Sequence, residues 1–358
     1  PGHVPGAEPV SWNGKARLAL VILAAALILS LGLAVSVGSM AIPMGDVYQV
    51  MAYELFGLGD GSQWGSGGVH DVVWLIRLPR LVLAAATGAG LGLCGAVMQA
   101  MVQNTMADPY ILGVSSGAYL GAALALTAGA GTALGGNAMG LAGAVGAFLA
   151  AAAVLLLARL GGRSTPVKLL LSGVALSAVC SALGNFCIVL ENDDHASAAL
   201  VQWTMGGMGA ASWPGNAIAC GVVLSGGLFF WSQYRTLNLM LLGDECAGTL
   251  GVELSARRLI YLLVVAALVG VLVYQAGMVG FVGLIIPHGV RLLFGSDHRT
   301  LLPLAGLTGA VFLLWMDVLC RVVLPGNEIP IGILTALVGA PVFLALLARR
   351  QYGFGGEV

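Results

Sequence analysis

The chain has 358 residues, of which 59% are hydrophobic and only 9% charged, and its mean hydropathy is +0.96. A soluble domain carries about 25% charged residues, so composition alone excludes that class and indicates an integral membrane protein. The formal net charge of −1 carries no information about partners, because the placement of charges matters more than their sum.

Crossing about 30 Å of hydrocarbon takes roughly 20 apolar residues. Runs that approach this length are 17–37, 78–101, 111–128, 139–157, 169–190, 213–232, 259–275, 279–293, 301–323 and 329–347. They predict an all-α, polytopic, multi-pass chain of ten transmembrane helices with both termini on one side. A short tail at 1–16 and another at 350–358 flank a single helical domain over 17–349, and the run from Leu18 to Val37 is too long for a signal-peptide core.

Lys and Arg orient the bundle. With the N-terminus inside, 12 of the 15 basic residues fall on inner segments: Lys15, Arg17, Arg159, Arg163, Lys168, Arg235, Arg257, Arg258, Arg291, Arg299, Arg349 and Arg350. The outer segments receive Asp46, Glu54, Asp60, Asp71, Glu191, Asp193, Asp194 and Glu328. An N-in, C-in arrangement follows. Three basic residues break the rule, namely Arg77, Arg80 and Arg321. One reading is local neutralisation, since Asp317 precedes Arg321 at i,i+4. The preferred reading is a docking patch for an acidic soluble partner, guided by charge.

The 54 glycines point to closely packed helices. Gly88 with Gly92, Gly117 with Gly121, Gly136 with Gly140, and Gly277, Gly280, Gly283 recur at helix-face spacing. The six cysteines (94, 180, 187, 220, 246, 320) form no CxxC pair and read as packing residues, not as a metal or disulfide framework. Pro287 and Pro341 interrupt apolar helices.

One stretch is neither span nor simple loop. In Tyr234 to Arg258 the apolar run 237–242 is too short to cross, Gly243-Asp244-Glu245 breaks it, and Arg235, Arg257 and Arg258 bracket it. This is a structured polar hinge on the inner side. Nothing in the chain supplies energy or covalent chemistry. Histidines 3, 70, 195, 288 and 298 are dispersed, and His288 reads as a hydrogen-bonded helix-end residue. Neither Lys15 nor Lys168 sits in a phosphate-binding GxxxxGK[ST] loop, so ATP energy must arrive through another chain. Asp317 is essentially the one acid within the spans, which disfavours an ion-coupled secondary transporter working alone. On the outer side, 202–213 (QWTMGGMGAASW) predicts a short helix whose Trp203, Met205, Met208 and Trp213 line a vestibule for a bulky organic substrate or anchor at the interface.

Ordered motifs along nearly the whole chain, roughly 15–350, resemble the FecCD family of ABC-importer permeases, the type II importers of iron-siderophores, haem and cobalamin. They are RLPR (77–80), GAGLGLCGAVMQ (88–99), NTMADPYILGVSSGA (104–118), KLLLSGVALS (168–177), WTMGGMG (203–209), GDECAGTLGV (243–252), GFVGLIIPHGVRLLFGSDHR (280–299) and EIPIGILTALVGAPVFLALL (328–347). The resemblance implies ten helices per subunit, a homodimer around a central path, and residence in the cytoplasmic (inner) membrane among lipid. It implies two separate ATPase subunits that bind ATP and Mg, a substrate-binding protein outside, and no cofactor or metal in this chain, no enzymatic activity and no nucleic-acid partner. It assigns docking of the binding protein to Arg77, Arg80 and Arg321, and ATPase coupling to Asp244, Glu245, Ala247, Leu250, Gly251 and Val252. A cytoplasmic gate is implied at Asn104, Thr105 and Met106, where the family usually has Asn-Pro-Leu, and at Thr165, Pro166 and Val167. The expected cargo is a ferric siderophore, with haem or cobalamin as alternatives.

Overall fold

The computed structural model describes residues 14–348 other than 39, 111–112, 130–136, 161–164, 192–193 and 325. His3, Gly136, Arg163, Asp193, Arg349 and Arg350, with most of both terminal tails, lie outside the described residues.

The described residues form helices and no strand. In chain order these are α1 (Gly14–Ser36), α2 (Met44–Phe56), α3 (Leu78–Met101), α4 (Val114–Thr127), α5 (Ala138–Arg159), α6 (Pro166–Leu190) and α7 (Asp194–Thr204). They continue with α8 (Trp213–Ser232), α9 (Tyr234–Leu241), α10 (Asp244–Thr249), α11 (Leu254–Ala276), α12 (Val282–Phe294), α13 (His298–Val322) and α14 (Ile331–Ala348). One-turn helices Gly61–Trp64 and Gly68–His70 and a π-helical turn Asp71–Arg77 lead into α3.

Among the described residues, seven helices are long and apolar enough to cross a membrane, and three shorter apolar ones coincide with the remaining expected spans. Local chemistry sets several of their starts. The Thr165 side chain accepts from the N–H of Lys168 and Pro166 opens α6. Ser212 accepts from Gly215 at the head of α8, and Asp297 from Arg299 at the head of α13.

Helix α3 is the axis of the bundle, and nearly all of its residues are buried. Antiparallel α13 lies against it so closely that a Cβ on Gly88 would stand 2.1 Å from the Gly309 carbonyl oxygen, and one on Gly92 2.6 Å from that of Ala305. Gly117 and Gly121 of α4 meet Gly146 and Ala142 of α5 in the same way. The third predicted glycine series is different. Gly277 and Gly280 lie outside any helix, in an irregular crossing at 277–281, and only Gly283 is helical. The apolar composition of 279–293 hides this break, because hydropathy measures solvent preference and not backbone conformation. The short helix expected within 202–213 is also displaced. It is α7, which ends at Thr204 and leaves 205–212 without helix.

Candidate functional site

The end of the bundle where α3 begins, expected to face outward, carries the three rule-breaking arginines together, yet buries them at 4, 8 and 6% exposure for Arg77, Arg80 and Arg321. Arg77 donates to the carbonyls of Val35, at 3.1 Å, and Met40. Arg80 binds Asp317 at 2.8 Å and Glu328 at 2.7 Å. Arg321 reaches Asp317 at 3.2 Å and the Val37 carbonyl at 3.3 Å. The neutralisation foreseen between Asp317 and Arg321 is therefore present. As a patch of free surface cations the three are corrected by this geometry. Their guanidinium groups tie the start of α3 and the end of α13 to the carbonyls of Val35, Val37 and Met40, and of their acidic partners it is Glu328 that meets solvent, its side chain 53% exposed.

Beside them, His70 holds Glu54 through Nε2 at 3.0 Å and Asp71 through Nδ1 at 3.1 Å, tying α2 to the start of the α3 rod. The continuous helix Gly68–Val102 has 35 residues. At 1.5 Å per residue it is about 52 Å long, against about 30 Å of hydrocarbon, and His70 lies eight residues before the expected span at 78–101. The Asp71 hydrogen bond, and then Glu54, raise the His70 pKa above its ordinary value despite its burial. The contribution is complete below the unfolded imidazole pKa and is lost as pH rises through the raised folded one. The melting temperature in detergent is therefore expected to fall as pH rises from mildly acidic to above 8, and H70Q is expected to flatten that slope. An unchanged slope in H70Q would remove His70 from the account.

The middle of the bundle holds an irregular crossing. Gly283, at the head of α12, is pressed on Gly95 of α3, where a Cβ on Gly95 would be 1.9 Å from the Gly283 oxygen. Gly95 is six residues before the end of α3 at Met101, about 9 Å inside it. Gly277 lines a cavity with Arg80 and Glu328, so the non-helical segment 277–281 runs from that end of the bundle down to the level of Gly95. Such backbone is tolerated within a membrane only when buried in protein or lining a wet cavity. Here the Tyr110 hydroxyl accepts from Val279 N–H at 3.3 Å, Ser115 donates to the Met278 sulfur at 3.1 Å, and Phe281 takes a left-handed φ of 68°. Residues 205–207, 276–278 and 331–332 meet backbone to backbone, through Gly207 N–H to Ala276 at 2.9 Å and Gly332 N–H to Met205 at 2.9 Å.

Alongside lies a cavity of ≈ 750 Å³ lined by Met106, Tyr110, Met205, Met278, Phe281 and Ile333, among others. It joins Met106 of the expected inner gate to Met205 of the expected vestibule. Trp203 and Met208 line a separate outer cavity of ≈ 360 Å³ with Arg80, Gln275 and Glu328. Trp213 lines neither. Its Nε1 donates to the Trp74 carbonyl at 3.0 Å and its ring stacks 4.8 Å from the Trp74 ring. Of the gate residues, Asn104 accepts from Met106 N–H at 2.9 Å, which folds Thr105 into a tight turn. Thr165, Pro166 and Val167 serve as the cap and first residues of α6.

At the opposite end, where α3 finishes, the hinge resolves into α9 and α10. Arg258, 1% exposed, grips Asp244 with both terminal nitrogens at 2.8 and 2.5 Å and donates Nε–H to the Met101 carbonyl at 3.2 Å. Asn238 of α9 donates to Asp297 at 2.8 Å and accepts from His298 N–H at 2.9 Å, fastening the hinge to α13. Ala247 is fully buried and packs inward, so it cannot touch a partner directly. Glu245, Leu250 and Gly251 are exposed, Val252 is half-buried, and Gly251 turns with φ 74°. Gln103, Asn238 and Tyr110 carry no signal in the sequence; each acts through side-chain hydrogen bonds across a long sequence separation, which leaves no local pattern.

With this geometry established, the chain belongs to the FecCD transport family, whose model matches residues 22–349. It is 39% identical to YvrB, an uncharacterized ABC transporter permease of Bacillus subtilis strain 168, over 91% of this chain and 92% of the relative. It is 38% identical to the cobalamin import permease BtuC of Halobacterium salinarum, over 97% of this chain and 91% of the relative. A solved inward-facing structure of a proposed metal-chelate type ABC transporter superposes with a TM-score of 0.78 at 29% identity, covering 94% of this chain and all of that one.

Proposed function

We propose that this chain is the membrane-spanning subunit of an ATP-driven importer that carries a large metal chelate inward across the cytoplasmic membrane. The observation that carries the reading is the ≈ 750 Å³ cavity beside a broken span. Lining a water-filled path is, with burial in protein, one of the two settings in which irregular backbone is tolerated within a membrane. One wall is open, with Leu337 of α14 66% exposed. That favours a homodimer in which a second copy closes the path.

In this reading the seven long and three short apolar helices are ten crossings with both termini inside, which the distribution of Lys and Arg supports. The α9–α10 hinge then faces the cytoplasm, where two separate ATPase subunits seat on its exposed Glu245, Leu250 and Gly251. ATP and Mg belong to those subunits. An extracytoplasmic binding protein docks over the outer end. Arg77, Arg80 and Arg321 act there by holding segment 35–40 and Glu328 in shape, with little direct contact. Met106 and Met205 bound the path as inner and outer gates, while Trp203 and Met208 shape the outer vestibule.

For the cargo, support runs to a corrinoid, because a relative of 38% identity over nearly the full chain is a cobalamin permease. The ferric siderophore expected from the sequence rests on frequency alone. The cognate binding protein, purified from cells and read by absorbance and mass spectrometry, is expected to carry a cobalt corrinoid. A bound ferric siderophore or haem would overturn the corrinoid assignment.

A further inference from the structure

Helix α3 ends in a Schellman turn. The N–H of Asn104 reaches the Gln99 carbonyl at 3.2 Å and that of Gln103 reaches Ala100 at 3.4 Å. The left-handed position of such a turn usually belongs to glycine, which has no Cβ to clash. Here it is Gln103, with φ 54°. What glutamine offers and glycine lacks is a side chain, and its Nε2–H donates to the Met240 carbonyl at 2.8 Å. Met240 lies in the last turn of α9, where the Gly243 N–H also reaches its carbonyl, at 3.4 Å, so the Gln103 amide is a second donor to the end of that helix. Arg258 makes the second tie at this junction, from the Met101 carbonyl to Asp244 at the head of α10. The next residue after Gln103 is Asn104, which starts the turn that sets Met106 in the cavity wall.

We propose that Gln103 is a positioning residue that passes movement of α9 and α10 to the 104–106 turn, with the Arg258–Asp244 pair as its pivot. The inference rests on the transport reading above. Strain retained at a backbone outlier is accounted for by the link it permits. When a partner moves the hinge, the Met240 carbonyl pulls directly on the residue that precedes the gate turn.

The test uses the full chain in proteoliposomes with its cognate ATPase and binding protein, and three variants. Gln103→Gly relieves the backbone and is expected to melt at or above wild type, to assemble with the ATPase and to hydrolyse ATP at the wild-type basal rate. Its uptake per ATP is expected to fall roughly fivefold, the factor for one hydrogen bond of ordinary net strength. Gln103→Glu keeps the shape without the donor and is expected to fall likewise, whereas Gln103→Lys restores a donor and recovers most of the coupling. A spin label at Thr105 is expected to move on ATP binding in wild type and to stay still in Gln103→Gly, while a label at the exposed Cys246 of α10 moves in both. Wild-type uptake per ATP in Gln103→Gly overturns the proposal, and so does a loss that tracks failed assembly or a lowered melting temperature. An inactive wild-type complex instead strikes the transport reading itself.

Discussion

Replacing Asp317 with alanine is expected to cost about 3–5 kcal/mol, the range for removing one partner of a buried ion pair. Its carboxylate side chain is 1% exposed and lies 2.8 Å from Arg80 Nε and 3.2 Å from Arg321 Nε. The variant leaves two buried guanidinium groups facing each other with no anion between them. The segment 35–40 and the α3–α13 contact then lose the charges that fix them together. A large drop in the detergent melting temperature and in the yield of folded protein is the expected readout. Glu328→Gln is the matched comparison. It also removes an Arg80 partner, but at a 53% exposed side chain, where an ion pair is worth about 0–1 kcal/mol. Equal stability of the two variants would refute the claim that this cluster is a structural clasp.

Gly95→Leu is the second large effect. The obstacle to a Cβ at Gly95 is the Gly283 backbone, with the oxygen at 1.9 Å and the carbonyl carbon at 2.6 Å. Overpacking costs about 1–3 kcal/mol when side chains can yield, and more is expected here because a backbone cannot rotate aside. The substitution pushes α12 away from α3 at the point where the 277–281 crossing begins. Both folding and the cavity wall are affected, so even Gly95→Ala is expected to lower the melting temperature. Gly221→Ala in α8 is the control, since nothing lies within 4 Å of its added Cβ. That change is expected to be neutral or to stabilise by up to about 1 kcal/mol through helix propensity. Matching melting temperatures for the Gly95 and Gly221 alanine variants would contradict the packing described for α3.

These two sites mark what the sequence reveals and what it hides. Long spans are legible because an uninterrupted apolar run leaves the backbone no partner but itself, and α3 and α8 fall on their expected boundaries. The close pairing of Gly88 and Gly92 was equally visible as a spacing. Helix α2 was missed because its 13 residues mix Asp46, Gln49 and Glu54 with Val47 and Val50. Its burial comes from neighbours, so no apolar run records it. The expected span at 279–293 begins three residues too early because Val279, Gly280 and Phe281 are apolar or small in any conformation. The arginines were seen as charges on the wrong side, but the carbonyls of Val35, Val37 and Met40 that receive them carry no sequence signature. For the hinge, the break at Gly243 was plain, while the inward grip of Arg258 on Asp244 emerged only with the fold.

The central claim is that this chain moves a chelate using ATP hydrolysed by separate subunits at the α9–α10 hinge. Its most direct test is uptake of labelled corrinoid into proteoliposomes holding this chain, the cognate ATPase and the binding protein. The account predicts accumulation that requires ATP and all three components, and that is lost when Asp244→Arg sets a second cation against the buried Arg258. Uptake by this chain alone, driven by a proton or sodium gradient and indifferent to ATP, would contradict it.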